Sequence, residues 1–164
     1  MPTIRHEQPQ DLNAIETLLD RVFGADRHAK KSYAYRNGIK AIETLSHVGY
    51  DDAGELVATI RYWPVVVGGN NKPALLLGPI AVKPERKGEG IGVRLMEMTL
   101  QMAANAGHRL VVLVGDAPYY TRFGFKPASA FSITMPGEAP ERVQALFLDE
   151  TAMMDTRGEV KKAG

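Results

Sequence analysis

Cysteine is absent from this sequence of 164 residues. The absence excludes disulfides, thiolate metal sites, iron–sulfur clusters and a thioester intermediate on the protein itself. A chain of this length buries roughly 70% of the surface that its unfolded form exposes, so it can build a core without cross-links. We therefore expect one domain over residues 1–164, with the reducing cytoplasm as its location.

An excess of either charge is also lacking, because 20 Lys and Arg stand against 19 Asp and Glu. This balance is not typical of proteins that coat nucleic acid or anionic membranes, so we expect neither as a partner. Long apolar runs are missing too. None approaches the roughly 20 residues of a membrane span, and residues 1–7 contain no apolar signal segment. We expect a soluble, unexported protein.

Two segments have the spacing of three and four residues that is typical of amphipathic helices. The first covers residues 9–23 and ends at Gly24, with an apolar face of Leu12, Ile15, Leu18, Leu19 and Val22. The second covers residues 90–106 and ends at Gly107, with an apolar stripe of Ile91, Leu95, Met98, Met102 and Ala106.

Short runs rich in β-branched residues predict strands at 2–6, 46–50, 56–67 and 74–82, the last three forming an antiparallel meander. Pro64 suggests an edge or a bulge, and Gly78 followed by Pro79 should bend its strand. The continuously apolar residues 110–114 predict a buried strand, parallel to 74–82 across the helical crossover.

Three further segments are less regular. Residues 124–135 and 143–148 predict two more strands, and residues 161–164 a frayed tail. Segment 26–40 concentrates basic residues with Tyr33 and Tyr35, and its weak periodicity leaves helix and loop both open.

A loop with glycines at 88, 90 and 92 joins the strand at 74–82 to the second helix. Glycines let a ligand approach the backbone, and a helix N-terminus offers unpaired N–H groups and a positive dipole. The surrounding Lys83, Arg86, Lys87 and Arg94 outnumber Glu85 and Glu89. We therefore predict a phosphate or pyrophosphate site, with a plain helix cap as the alternative, because neither the Rossmann nor the Walker pattern is present.

A second stretch, Tyr120-Thr-Arg-Phe-Gly124-Phe125, completes a pair of motifs with the loop Lys87-Gly88-Glu89-Gly90-Ile91-Gly92. Together they resemble the GNAT superfamily of acetyl-CoA-dependent N-acetyltransferases, in particular its YhbS-like bacterial branch. The family's loop begins with Gln or Arg, so Lys87 is a departure at the first position. The resemblance covers the order of elements over residues 3–160 and is strongest over 75–128.

The resemblance implies an α/β (α+β) fold with a mixed, mostly antiparallel central sheet, one splayed parallel strand pair, and helices on both faces. It implies acetyl-CoA as co-substrate and no metal, with the pantetheine arm between the strands at 74–82 and 110–114. The cofactor-binding residues would be Ile80, Ala81, Val82, Lys87, Gly88, Glu89, Gly90, Ile91, Gly92 and Val93. Tyr120 matches the position that often protonates the departing thiolate; Tyr119, Phe123 and Phe125 are expected in the core.

The implied reaction is direct acetyl transfer to a primary amine of a small-molecule or protein acceptor, and a homodimer is the assembly common among relatives. The strand at 74–82 has no Asp, Glu or His, so we expect a water relay, with Glu43, His47, Asp116 and Glu141 as candidate bases by residue type.

Several alternatives stay open. The missing base also fits a catalytically weak or inactive CoA-binding or sensing module. Segment 26–40 fits an acceptor-site wall, a patch facing RNA or an acidic substrate, or a solvated face. Trp63 with Pro64 fits the acceptor pocket or an edge strand.

Overall fold

The computed structural model describes residues 1–164 as a central sheet with helices packed on both faces. The α-helices are α1 (Leu12–Phe23), α2 (Ile91–Asn105) and α3 (Ala117–Tyr120). The strands are β1 (Thr3–His6), β2 (His47–Tyr50), β3 (Leu56–Val67), β4 (Lys72–Val82), β5 (Leu110–Val114), β6 (Lys126–Pro127), β7 (Ile133–Thr134), β8 (Val143–Phe147) and β9 (Gly158–Lys162). None of the helices is long and apolar enough to cross a membrane.

The strands lie in the order β1-β2-β3-β4-β5-β8-β6, and β9 pairs with β3 and β7. The only parallel neighbours are β4 with β5, joined through the crossover helix α2, and a two-residue contact of β7 with β9. The predicted mixed, mostly antiparallel sheet with a central parallel pair is confirmed.

The parallel pair separates soon after it forms. β4 and β5 are in register only where Leu75 faces Val111 and Leu76 faces Val112. Beyond Leu76, β4 remains paired with β3 on its other side. The edge of β4 toward β5 therefore carries backbone N–H and C=O groups that have no strand partner.

A bulge interrupts the pairing of β3 with β4. Ile60 faces Ile80 but Tyr62 faces Leu77, so β4 accommodates one extra residue within Gly78 and Pro79, where the sequence predicts a bend. Pro64 lies between the stretches of β3 that pair with β2 and with β9, a position with a partner strand on one side only. A proline is tolerated there because its missing N–H leaves no second ladder incomplete.

The two long helices cover opposite faces of the sheet, α2 against Ile60 and Tyr62 and α1 against Ala81. The predicted face of α1 is correct except for Leu12, which is 49% exposed. Side chains in a helix lean toward its N-terminus, so the first residue projects beyond the packed surface.

The predicted stripe of α2 is only partly correct in its C-terminal half, where Met98 and Met102 pack at the margin of the core. Met98 and Met102 are only partly buried and Ala106 is exposed just beyond the helix end. The buried residues are Ile91, Leu95, Met96, Thr99, Leu100 and Ala103. Thr99 is accommodated in this apolar face because its hydroxyl hydrogen-bonds to the Leu95 carbonyl (2.7 Å) and the Tyr62 hydroxyl (2.8 Å).

The C-terminal third differs most from the prediction. The expected strand over 124–135 is wrong, because a 3₁₀ turn (Ala128–Phe131) separates the two-residue strands β6 and β7. Pro127 has no N–H with which to extend the pairing. The expected fraying at 161–164 is also wrong, since Lys161 and Lys162 belong to β9, which pairs with β3 and buries Val160.

Segment 26–40, left open by its sequence, folds as two short 3₁₀ helices, Arg27–Ala29 and Lys31–Tyr35. Arg27 anchors it to α1. The Arg27 guanidinium is 2% exposed, donates to Asp20 at 3.0 Å and pairs with Glu16. These charge-assisted contacts hold the segment over the open end of the gap between β4 and β5.

Candidate functional site

A cavity of about 1030 Å³ lies where β4 and β5 separate. Leu77 to Val82 form one side, and Leu113 to Asp116 form the other. The glycine loop lies at one end and segment 26–40 at the other. Ligand pockets typically measure roughly 300–1,000 Å³, so this volume suits one large ligand together with part of a second.

Free backbone N–H groups face one end of this cavity. Gly90 precedes α2 in a left-handed conformation (φ 80°), and the first helical hydrogen bond runs from the Arg94 N–H to the Gly90 carbonyl (3.0 Å). The N–H groups of Ile91, Gly92 and Val93 therefore have no acceptor within the helix. Their alignment with the positive end of the helix dipole makes this an anion site in chemical terms.

The four cations that the sequence places around this loop have different surroundings. Lys87 lines the cavity and makes no ion pair, and Arg86 lines it while bonded to Glu89 at 2.8 Å. Lys83 is engaged by Glu55 (2.7 Å), and neither Lys83 nor Arg94 lines the cavity. Lys87 is thus the cation that is free to meet a phosphate.

All but one of the predicted cofactor-binding residues line the cavity. Ile80 and Val82 are partly buried there and Ala81 is buried. The loop contributes Lys87, Gly88, Gly90, Ile91, Gly92 and Val93. The exception is Glu89, whose carboxylate turns to Arg86.

Tyr120 lies on the opposite side of the same cavity, in α3 directly after β5. Its ring rests on Gly115, where a Cβ would come within 2.4 Å of the ring carbon Cε2. Phe125 flanks the ring edge to face at 6.0 Å. Burial, then Tyr119 and Asp116, raise the pKa of Tyr120 to about 12, so the phenol keeps its proton at neutral pH.

Tyr119 is predicted in the core, but it lines the cavity beside Tyr120. Its hydroxyl lies 3.4 Å from where a Cβ of residue 92 would stand, and Arg122 stacks on its ring at 4.7 Å. Phe125 is buried as predicted, and Phe123 is partly buried.

Of the four candidate bases, only Asp116 lines the cavity, and Arg142 binds its carboxylate at 2.6 Å. Burial lowers the pKa of His47, which lies outside the cavity with its Nδ1 2.8 Å from the Leu45 carbonyl. Glu43 is exposed and paired with Lys40, and Glu141 is exposed outside the cavity.

Glu138 is a carboxylate that the sequence reading missed. It lines the cavity, is partly buried and forms no ion pair. It lies in a turn held by the bond from its N–H to the Met135 carbonyl (3.1 Å). A Pro-Gly-Glu turn has no periodicity, so only the tertiary fold reveals that it reaches the cavity.

Segment 26–40 forms the far wall, through Lys30, Lys31, Ser32, Tyr33 and Arg36. Trp63 stands behind this wall, and its indole N–H donates to the Gly78 carbonyl at 2.7 Å. Around the whole cavity, seven Lys and Arg side chains accompany two carboxylates. The cavity is therefore cationic although the net charge of the chain is only +1.

The sequence of this chain is similar to that of known proteins. The sequence model of the acetyltransferase (GNAT) domain family matches residues 3–128. The chain is 33% identical over 126 residues to the uncharacterized N-acetyltransferase YhbS of Escherichia coli K12, which covers 77% of this chain and 74% of YhbS. It is 29% identical over 141 residues to the uncharacterized N-acetyltransferase YjhQ of the same strain, covering 84% and 76%.

Two solved structures are similar over nearly the whole chain. The crystal structure of Escherichia coli YhbS in complex with CoA has a TM-score of 0.85 at 30% identity, covering 99% of this chain and 89% of YhbS. A GNAT family acetyltransferase from Brucella melitensis in complex with acetyl-CoA has a TM-score of 0.73 at 33% identity, with coverages of 100% and 97%.

Proposed function

Because the chain belongs to the GNAT acetyltransferase family, we propose that it passes an acetyl group from acetyl-CoA directly to a primary amine within a ternary complex. The observation that carries this proposal is one continuous cavity that joins three features: the free N–H groups of α2, the Tyr120 phenol and the wall of segment 26–40. A cofactor and an acceptor can therefore bind next to each other in one cavity.

The residues of the cavity fit acetyl-CoA. The N–H groups of Ile91, Gly92 and Val93, with Lys87, match the charge and acceptor oxygens of a pyrophosphate. The unpaired edge of β4 at Ile80 and Val82 matches the amides of the pantetheine arm. When bound, acetyl-CoA supplies a thioester: the amine nitrogen bonds to the acetyl carbon, the carbon–sulfur bond breaks, the nitrogen loses a proton and the sulfur gains one.

Tyr120 is proposed as the proton donor for the sulfur. Because this phenol, with a pKa of about 12, is a weaker acid than a thiol with a pKa of roughly 8.5, its main contribution is a hydrogen bond to the negative charge that develops on the sulfur. Transfer of the proton to the sulfur is completed because the proton that the amine nitrogen loses restores the phenol. Close packing against Gly115 holds the Tyr120 ring in one orientation.

The acceptor must be neutral to attack, and the cavity helps it to lose a proton in two ways. The cations of segment 26–40 disfavour a positively charged amine. Glu138 is the proposed acceptor for its proton, directly or through water, because it is the carboxylate of the cavity without a cationic partner.

Thermal unfolding with acetyl-CoA, CoA and ATP tests the cofactor. Acetyl-CoA at about 100 times its Kd stabilises the native state by roughly 2.7 kcal/mol, which raises the Tm of a chain of this size by about 5–10 °C. We expect this rise with both CoA species and none with ATP. No rise at millimolar acetyl-CoA contradicts the proposal.

An amine panel assayed with Tyr120→Phe tests the chemistry. We expect kcat to fall roughly 100-fold while the Tm response to acetyl-CoA is retained. Tyr35→Phe is the control, because Tyr35 lies outside the cavity and donates to the Val160 carbonyl. Acetyl-CoA binding without turnover of any amine would favour a CoA-binding module over an enzyme.

A further inference from the structure

Arg36 carries a charge that no group of the protein neutralises. Its guanidinium lies between two aromatic rings, 4.3 Å from the centre of Tyr33 and 5.6 Å from that of Trp63. The Nε and Nη1 atoms are buried without a hydrogen-bond partner, and no carboxylate lies within ion-pair distance. A buried guanidinium without an acceptor is rare because burial without a partner is costly.

The neighbouring arginines show that this is particular to Arg36. Arg27 is bound by Glu16 and Asp20, and Arg61 by Glu7 at 2.9 Å. Burial, with Arg61 and Arg27 nearby, lowers the pKa of Arg36. Arg36 is therefore a partly buried cation, with two enclosed nitrogens, that has no anion in the protein.

The position of Arg36 shows which anion could reach it. The guanidinium lines the cavity beside the bulge, with its Nη2 3.6 Å from where a Cβ of residue 78 would stand. The five residues of β4 from Gly78 to Val82 span about 13 Å, and the glycine loop begins beyond them. Phosphates bound at that loop cannot reach Arg36. An anion bound at Arg36 would therefore belong to the other ligand.

We propose that Arg36 binds a carboxylate of the acceptor, so that the amine acetylated is one that also carries a carboxylate, such as an amino acid or an acidic peptide. The inference rests on the proposed function. The guanidinium lies over the Tyr33 and Trp63 rings, and its Nη2 is the nitrogen that is not enclosed, so it can donate a charge-assisted hydrogen bond to a carboxylate oxygen in the cavity. Lys30 and Lys31 on the same wall add attraction for an acidic molecule.

The test compares an amino acid with its carboxamide as acceptor. Each kcat/KM is calculated from the concentration of the neutral form of the amine. We expect the wild type to prefer the carboxylate about 10- to 100-fold. Arg36→Met should bring the ratio of the two rates close to one, and a retained Tm response to acetyl-CoA should show that the variant still folds and binds its cofactor. Lys40→Met is the control, because Lys40 is exposed, pairs with Glu43 and lies outside the cavity.

Equal rates for the two amines in the wild type would overturn the inference while leaving the acetyltransferase function intact. A preference for the matching aminophosphonate over the amino acid would contradict carboxylate recognition. It would indicate that Arg36 binds a phosphate-like group.

A binding measurement tests the proposed contact between Arg36 and a carboxylate even if no amine is turned over. Trp63 is the single tryptophan of the chain and lies beside Arg36, so its fluorescence reports on this subsite. We expect a saturable change on titration with the amino acid and a much weaker one with the carboxamide, and neither response in Arg36→Met. No change in the wild type up to about millimolar concentration of any amino acid tested overturns the proposal.

Discussion

At the residue scale, the site depends on side chains whose neighbours hold them in one charge state. Tyr120 is kept protonated by burial, and Arg36 is kept without an internal anion. Neither condition can be read from the residue types. Both arise from the way in which β4, α3 and segment 26–40 enclose the same cavity.

The raised pKa of Tyr120 leads to a prediction about pH. The phenol acts in its protonated form, and its pKa of about 12 keeps it protonated throughout the range in which the protein can be assayed. We expect kcat/KM to rise with pH as the acceptor amine deprotonates, and then to stay level to about pH 10. A descending limb near pH 9 or 10 that disappears in Tyr120→Phe would contradict the assigned environment of the phenol.

The sequence singled out Tyr120 and the glycine loop because both belong to local motifs with fixed spacing, and both line the same cavity. It did not predict Glu138, because that residue reaches the cavity only through a turn that follows the short strand β7. Arg36 was one basic residue among several in segment 26–40. Its unpartnered guanidinium depends on Tyr33, Trp63 and the bulge in β4, which come from three separate parts of the chain.

At the element scale, the junction of β5 with α3 aims the phenol. Gly115 is the last residue before the turn, and its N–H donates to the Arg142 carbonyl at 2.7 Å. Any side chain at this position would meet the ring of Tyr120, because the backbone and the ring are already in contact. The glycine is therefore required by packing of the ring.

Gly115→Ala tests this junction. The added methyl group would lie 2.4 Å from the Tyr120 ring carbon Cε2, so the ring must move. We expect kcat to fall by roughly 10- to 100-fold, approaching the loss in Tyr120→Phe, with acetyl-CoA binding retained in thermal shifts. Gly69→Ala, in an open turn with no atom near the new methyl group, should leave kcat unchanged. Wild-type kcat in Gly115→Ala would show that the ring position is not critical.

Elements with a strong periodicity were predicted well, and irregular ones were not. The helices α1 and α2 and the strands β2 to β5 follow from repeating apolar positions. The region of β6 and β7 contains apolar residues at Phe125, Ile133 and Met135, which are buried without forming a continuous strand. Burial alone does not specify extended structure, and Pro127 ends the pairing that the pattern suggests.

At the scale of the whole molecule, Asp11 ties the first strands and α1 together. Its carboxylate is 1% exposed, accepts two bonds from Arg5 at 2.8 Å and is bonded by the Tyr50 hydroxyl at 2.6 Å. The bond from Arg5, supported by those from Tyr50 and the Gln8 N–H, holds the pKa of Asp11 far below its usual value. A carboxyl with a depressed pKa stabilises the native state above its unfolded pKa of about 3.9, and this contribution is lost as the pH falls below it.

Asp11→Asn should therefore lower the free energy of unfolding by about 2–3 kcal/mol at pH 7, near the lower end for a buried pair because Arg5 is 41% exposed. The difference from the wild type should shrink as the pH falls from about 5 toward 2. Urea unfolding at several pH values measures it. Glu43→Gln, which breaks an exposed pair, should not differ from the wild type. A difference that is the same at pH 7 and pH 2.5 would contradict the ionic origin.

Some of the predictions about the whole molecule are confirmed, and others stay predictions. The mixed sheet and the family are confirmed by the topology and by the similar proteins. The homodimer and the cytoplasmic location stay predictions. They depend on surfaces and surroundings beyond a single chain, whereas the sheet order follows from local strand pairing and one crossover helix.

The early separation of β4 from β5 also bears on self-association. An unpaired strand edge at a protein surface recruits strands of other molecules and promotes aggregation. Here the unpaired edge of β4 past Leu76 is recessed between β5, segment 26–40 and the glycine loop. This gap lies inside the sheet and is lined by packed elements, so it differs from a free outer edge and has room for an extended molecule. The fold thus keeps a reactive backbone edge available to a slender ligand while shielding it from other copies of the chain.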